Sequence, residues 1–370
     1  MPPPTPYLHS PPLPKTMVAY RFEPGLKEPQ RRTLPVPVPG PDEVLVKVLA
    51  AGVCQSDVHL LEESDTKPFV TYPFTLGHEG SGIIARLGDG VASKPEFAQR
   101  LTIGTYVAVL LTNACDTNKC ARCKSGFANV CFSRHMLGIG ADGNWAEYVV
   151  ARACTVVPVP GNDPKHPRLH PAAVATSTDA VLTPWHALKR VARVQPGQTV
   201  LIIGCGGLGS NAIQIAKHAL GASVVIASDI REDSLVLARK VGADYAVPPA
   251  ELKVLRDEKG LVIDVVVDVV GIQASMDGAV ELVKTGGTVV LIGQGQGTVT
   301  ISPLGMGVKQ VAVMGTFGGD YQDLVECLFA IEQGKVVPEV EERALDDCVK
   351  VVKDLAAGRV RGRIALIPSY

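Results

Sequence analysis

The chain has 370 residues and a formal net charge of −1, with 46% apolar and 20% charged residues. That balance argues against a nucleic-acid or anionic-membrane partner gathered by charge, and no apolar run reaches the ~20 residues of a membrane span. The length suits two domains at roughly 100–200 residues each, with enough apolar material for large cores.

Residues 1–16 read as a proline-rich tail, with Pro2, Pro3, Pro4, Pro6, Pro11, Pro12 and Pro14. The segment lacks the basic-then-apolar order of a secretory signal and the arginines of a transit peptide, so a cytoplasmic protein is expected. Val18 to Phe22 and Glu43 to Ala51 follow as strands. Directly after them comes Gly52-Val53-Cys54-Gln55-Ser56-Asp57-Val58-His59, which packs a thiol, a hydroxyl and an imidazole at a strand end. Alone, this reads most simply as a buried cysteine and surface polar residues. The reading changes at Gly77-His78-Glu79-Gly80, where glycines let a histidine and a carboxylate turn into one site. Thiolate, imidazole nitrogen and carboxylate oxygen are all zinc donors.

Four of the nine cysteines then cluster as Cys115, Cys120, Cys123 and Cys131. In a reducing compartment such clustering points to metal before disulfide, and four thiolates suffice for a tetrahedral structural zinc site. Met136 to Tyr148 reads as a turn-rich return to a sheet, with Trp145 in the core. Ala180 to Val191 reads as a helix in which His186 is structural.

Val200 to Ile203 is a short buried strand. It runs into Gly204-Cys205-Gly206-Gly207-Leu208-Gly209, then a helix from Ser210 to Leu220, a second strand from Ser223 to Ala227, and Asp229. This is the order a dinucleotide requires. Gly204 makes the tight turn, Gly206 lets backbone approach the pyrophosphate, and Gly209 lets helix pack on strand. The helix N-terminus at Gly207 and Leu208 faces the phosphates. Asp229 would accept from the adenosine ribose and repel a 2′-phosphate, which favours NAD, although Arg231 lies close enough to offset part of that repulsion. Asp244 to Val247, Ile263 to Asp268, Thr288 to Ile292 and Val311 to Gly315 complete a doubly wound parallel sheet. The last of these could be an edge that pairs with a second subunit. Asp323 to Gln333 and Asp346 to Ala357 read as helices that return the chain to its first domain.

Cys54-x-Ser56-x-x-His59, Gly77-His78-Glu79, the cysteine cluster and the glycine fingerprint, in that order, resemble the zinc-dependent alcohol dehydrogenases of the medium-chain dehydrogenase/reductase family. The resemblance runs from about Val18 to the end. It implies a mainly β GroES-like catalytic domain over 17–178, completed by 325–370, around a Rossmann domain over 179–324. It implies a catalytic zinc held by Cys54, His78 and a third ligand. Aligning Thr183-Pro184-Trp185-His186 with the family puts Asp179 at that third position, where cysteine is usual; carboxylate is an allowed replacement. The alternative is that Asp179 only caps its helix. Glu79 would stand behind the metal or bind it on occasion, Ser56 would take the substrate proton, and His59 would pass it to solvent. Arg363 matches a position that contacts the cofactor phosphates. The cysteine cluster departs from the family by having four residues between Cys115 and Cys120 where two are usual, so either the loop bulges or a ligand is lost.

The expected reaction is reversible hydride transfer between a primary or secondary alcohol and NAD, in a homodimer or homotetramer. Two rivals stand beside it: a zinc-free NAD(P)H reductase of an activated C=C bond, and a cofactor-binding protein without catalysis. Substrate choice rests on loops around Thr66 to Tyr72 and Phe132 to Leu137, which sequence does not place.

Overall fold

The computed structural model describes residues 13–62, 71–112, 115, 120–131, 136–161, 169–295 and 297–370. Most of the proline-rich tail, residues 66–70 and 132–135 of the substrate loops, the 116–119 linker between the first two clustered cysteines, and Gln296 in the last glycine-rich turn lie outside them. The chain divides into two compact units, 1–178 with 340–370, and 179–339. No helix among the described residues is long and apolar enough to cross a membrane.

The first unit is built on a seven-stranded sheet. Its spine is Glu43–Val53, an apolar run buried along nearly all its length. This strand pairs antiparallel with Gly80–Leu87 along one edge. Along the other it pairs first with Tyr148–Arg152 and then with Arg363–Ile367. Tyr106–Val109 and Val156–Pro158 extend one side, and Val340–Ala344 the other. A smaller sheet holds Gln30–Pro35, Thr16–Phe22 and Phe74–Thr75. Trp145 is fully buried and donates from Nε1 to Gly52 O at 3.0 Å, so it is core. Helix Pro171–Thr176 lies on the sheet through alanines: Ala172 and Ala175 meet Ala50 and Ala365. Small side chains let helix and strands approach closely, which fixes the helix end relative to the strand ends.

The second unit is a six-stranded, all-parallel sheet in the order Tyr245–Val247, Val224–Ser228, Thr199–Ile203, Ile263–Asp268, Val283–Leu291, Ala312–Gly315. Numbered by sequence, that is the 3-2-1-4-5-6 order of a dinucleotide-binding sheet. Helices cross between the strands, and the central strand Thr199–Ile203 is buried throughout, as parallel strands covered on both faces must be. The chain rejoins the first unit at Val340 rather than at 325. Helix Tyr321–Glu332 stays with the second unit because its acids are tied to that unit. Asp323 accepts from Arg190 Nε at 2.7 Å and faces His186 Nδ1 at 2.6 Å, while Glu326 accepts from Trp185 Nε1 at 3.0 Å. His186 is thus a structural residue.

Candidate functional site

Three strand ends of the first unit assemble one cluster. Cys54 follows Glu43–Val53, His78 and Glu79 precede Gly80–Leu87, and Arg363 opens Arg363–Ile367. Register brings these ends side by side, since Gly80 stands opposite Ala51 and Ile364 opposite Val53. Ligand atoms of Cys54, His78 and Glu79 all lie within 4.8 Å of one another. All three residues are buried.

Glycines make the space. A Cβ on Gly52 would stand 1.9 Å from Glu79 Oε2, and one on Gly77 would stand 2.1 Å from the Trp145 ring. Gly77 also has φ +89°, a conformation that side chains other than glycine rarely adopt.

Asp57 joins this candidate site and is not singled out by sequence reasoning. It is fully buried, and Oδ2 accepts from Cys54 N at 2.8 Å while Oδ1 faces His78 Nδ1 at 3.2 Å. One carboxylate therefore fixes the backbone at Cys54 and the ring of His78. A carboxylate opposite Nδ1 keeps the proton there and leaves the Nε2 lone pair for a metal. The available signal was an acid three residues after a candidate ligand, in a segment otherwise turning into the core.

Ser56 and His59 lie on helix Gln55–Glu62, about one turn apart and so on one side of it. The Ser56 hydroxyl is 3.7 Å from Cys54 Sγ. Arg363, expected at the cofactor phosphates, is only 6% exposed and forms an ion pair with Glu79. The guanidinium offsets the charge that a buried carboxylate would otherwise carry unpaired. Helix Pro171–Thr176 is docked here too, because Ser81 Oγ donates to Pro171 O at 2.8 Å and Gly80 N donates to Thr178 Oγ1 at 3.3 Å. Asp179 is the next residue after Thr178. Its Oδ1 accepts from Thr183 Oγ1 at 2.7 Å, and the N-cap of the following helix Leu182–Trp185 is Val181.

The cysteine cluster closes with all four members. Cys115 and Cys123 sulfurs are 3.5 Å apart, Cys120 and Cys131 sulfurs 3.7 Å, and all four lie within 4.8 Å of one another. Sulfurs ~2.3 Å from a tetrahedral zinc stand about 3.8 Å apart, whereas a disulfide needs ~2.05 Å. The donor set fits zinc. The longer spacing does not remove Cys115, whose N–H donates to Cys131 Sγ at 3.3 Å. The backbone N–H of Cys123 pulls the Cys120 thiol below its ordinary pKa. Burial, then the neighbouring thiols, push Cys123 up.

In the second unit the glycine fingerprint behaves as its spacing predicts. Gly204 has φ +90°, a Cβ on Gly209 would meet Gly204 O at 1.8 Å, and Gly206 faces open space. Helix Gly207–Gln214 starts there, so the N–H groups of Gly207, Leu208 and Gly209 belong to its open first turn. Asp229 sits after Val224–Ser228, accepting from Cys205 N at 2.8 Å and Arg231 N at 2.9 Å. Burial, then the Asp229 charge, push the Cys205 thiol up to about 12, so it is inert.

Comparisons with known proteins agree with this picture. The profile of the alcohol dehydrogenase GroES-like domain matches residues 40–161, and that of the zinc-binding dehydrogenase domain matches 207–332. An alcohol dehydrogenase of Rhizobium meliloti is 35% identical over 338 residues, covering 90% of this chain and 93% of that protein. One from Geobacillus stearothermophilus is 34% identical, covering 88% and 91%. Among solved structures, acetophenone reductase from Geotrichum candidum in complex with NAD superposes with a TM-score of 0.82 at 33% identity, covering 96% of this chain and 98% of that one. The alcohol dehydrogenase of Aeropyrum pernix gives 0.82 at 30% identity, covering 95% and 100%.

Proposed function

Because the chain belongs to the zinc-type alcohol dehydrogenases of the medium-chain dehydrogenase/reductase family, we propose that it carries out reversible hydride transfer between an alcohol and NAD, with Cys54, His78 and Asp179 as ligands of a catalytic zinc. The observation that carries this reading is the convergence of the Cys54 sulfur, His78 nitrogen and Glu79 carboxylate inside the first unit. A soft thiolate and an imidazole, with the Asp179 carboxylate as third ligand, make a zinc donor set, and three protein ligands leave a position for substrate while Glu79 stays behind them. Zinc bound there supplies a Lewis acid that makes an alcohol hydroxyl easier to deprotonate.

The chain's own residues handle the proton and the geometry. Asp57 holds the His78 tautomer. The Ser56 hydroxyl takes the substrate proton, and His59, one turn further along the helix, passes it to solvent. Glu79, charge-balanced by Arg363, stands behind the ligands. In the second unit, Gly204, Gly206, Gly207, Leu208 and Gly209 cradle the pyrophosphate, and Asp229 takes the ribose. The same carboxylate disfavours a 2′-phosphate, so NAD is the cofactor over NADP. The oxidised product is an aldehyde or ketone, and NAD supplies the hydride acceptor. Cys115, Cys120, Cys123 and Cys131 hold a second, structural zinc.

The protein works as a homodimer or homotetramer. Ala312–Gly315 ends the parallel sheet, with a strand neighbour on one side among the described residues, and Leu304 and Val308 of the adjoining helix are 77% and 73% exposed. None of the nine cysteines is in a disulfide, which suits a cytoplasmic setting.

The test is NADH formation from a panel of primary and secondary alcohols, with and without a metal chelator, repeated with NADP. Turnover that survives removal of all zinc would favour the C=C reductase reading, and tight NADH binding without turnover on any alcohol or carbonyl would favour the non-catalytic one.

A further inference from the structure

We propose that Thr183 is a positioning residue for the catalytic metal: its hydroxyl holds one oxygen of Asp179, so the carboxylate meets zinc through the other. This rests on the assignment of Asp179 as a ligand. Thr183 is 6% exposed, and its Oγ1 lies 2.7 Å from Asp179 Oδ1. A hydroxyl has one proton, and opposite a carboxylate it donates that proton in a short, charge-assisted bond.

The backbone explains why the pair meets. Pro184 follows Thr183 and has no N–H, so the carbonyl of Ala180 cannot take its usual helical donor four residues on. Asn211 supplies one: Nδ2 donates to Ala180 O at 3.1 Å and to Gly207 O at 2.9 Å. Just before this point the helix runs through a π turn over Ser177–Val181, with Asp179 at its centre. Single π turns recur where a helix must re-aim a functional side chain. Thr183 is the second residue of the α-helical segment Leu182–Trp185 and reaches back one turn to the carboxylate.

The chemical consequence concerns coordination number. A carboxylate can give a metal one oxygen or two. With Oδ1 committed to Thr183, Asp179 contributes one, and a third protein ligand that occupies one position keeps the fourth for substrate. Groups that orient a metal ligand are typically worth about 10–100-fold in metal affinity.

The experiment uses the full chain in three forms: wild type, Thr183→Val and Thr183→Ser. Zinc release to a chromophoric chelator gives the affinity of each of the two sites, and the visible spectrum of the cobalt-substituted protein reports coordination number. Thr183→Val should weaken one zinc site by about 10–100-fold and dim the four-coordinate cobalt bands, while Thr183→Ser stays close to wild type. Wild-type affinity and spectrum in Thr183→Val, or equal damage in Thr183→Ser, would overturn the proposal. If the valine variant does not accumulate folded, Thr183→Ala takes its place with the same expected loss. Asp179→Ala separates the two levels of inference. If that variant keeps wild-type zinc affinity at both sites, the ligand assignment itself is wrong.

Discussion

Replacing Asp57 by asparagine isolates the group that sets the His78 tautomer. The carboxylate accepts on both oxygens, from Cys54 N at 2.8 Å and opposite His78 Nδ1 at 3.2 Å, with no exposed surface. An amide of the same shape has one acceptor and one donor end. If its oxygen stays with Cys54, its NH2 group meets the Nδ1–H of His78, and the ring must move its proton to Nε2, the atom needed for zinc. If the amide turns over, NH2 faces the Cys54 N–H and that bond is lost. Either orientation sacrifices one charge-assisted hydrogen bond, worth about 1.5–3 kcal/mol. Spent on the metal site, this corresponds to a loss of about 10–100-fold in zinc affinity, or roughly 1.4–2.7 kcal/mol. Competition with a chromophoric chelator at fixed pH measures it directly. Asp57→Asn with wild-type zinc affinity would refute the tautomer argument and reduce Asp57 to a loop anchor.

Three further predictions probe the other parts of the structure. Gly209→Ala drives a Cβ to 1.8 Å from Gly204 O, a backbone atom that cannot swing away; NADH binding followed by fluorescence should weaken by at least about tenfold, or ~1.4 kcal/mol, with zinc content unchanged. Cys120→Ser should release the structural zinc while leaving the catalytic one, seen as halved zinc by elemental analysis together with a lower melting temperature. Burial raises the Asp323 carboxyl, but hydrogen bonds from His186 and Arg190 outweigh that and hold it below the usual carboxylate range. Its stabilising contribution is therefore complete above the unfolded value of about 3.9 and is lost as pH falls through the lower folded value. Asp323→Asn should cost about 3 kcal/mol at neutral pH, and the gap between the denaturant melts of the two proteins should close as pH falls through the lowered folded value.

What could be read in the sequence was what local spacing encodes. Gly204, Gly206 and Gly209 announce a backbone geometry, and a buried β-branched strand before them announces the sheet. His78 is legible because Gly77 and Gly80 bracket His78-Glu79, and Cys54 because Ser56 and His59 follow it closely and its chemistry is narrow. The partners of those groups were not legible. Arg363 meets Glu79 across 284 residues of chain (363 − 79), and His78 meets Asp57 only because two strand ends share a register. No periodicity carries such pairings. The return to the first unit, at Val340 and not 325, is hidden from the sequence for a related reason. The amphipathic pattern of Tyr321–Glu332 says that one face is buried, and only Asp323 and Glu326 engaging Trp185, His186 and Arg190 say against what. The spacing between Cys115 and Cys120 leaves two outcomes open, and the gathering of all four sulfurs within 4.8 Å of one another supports a complete donor set.

The most direct measurement is zinc content of the purified full chain beside its Cys54→Ser variant, taken with NADH formation from an alcohol. The account predicts about two zinc ions per chain in the wild type, filling the two donor clusters, and loss of one ion together with all turnover in Cys54→Ser. A variant that keeps its full zinc complement, or that still reduces NAD, would contradict it.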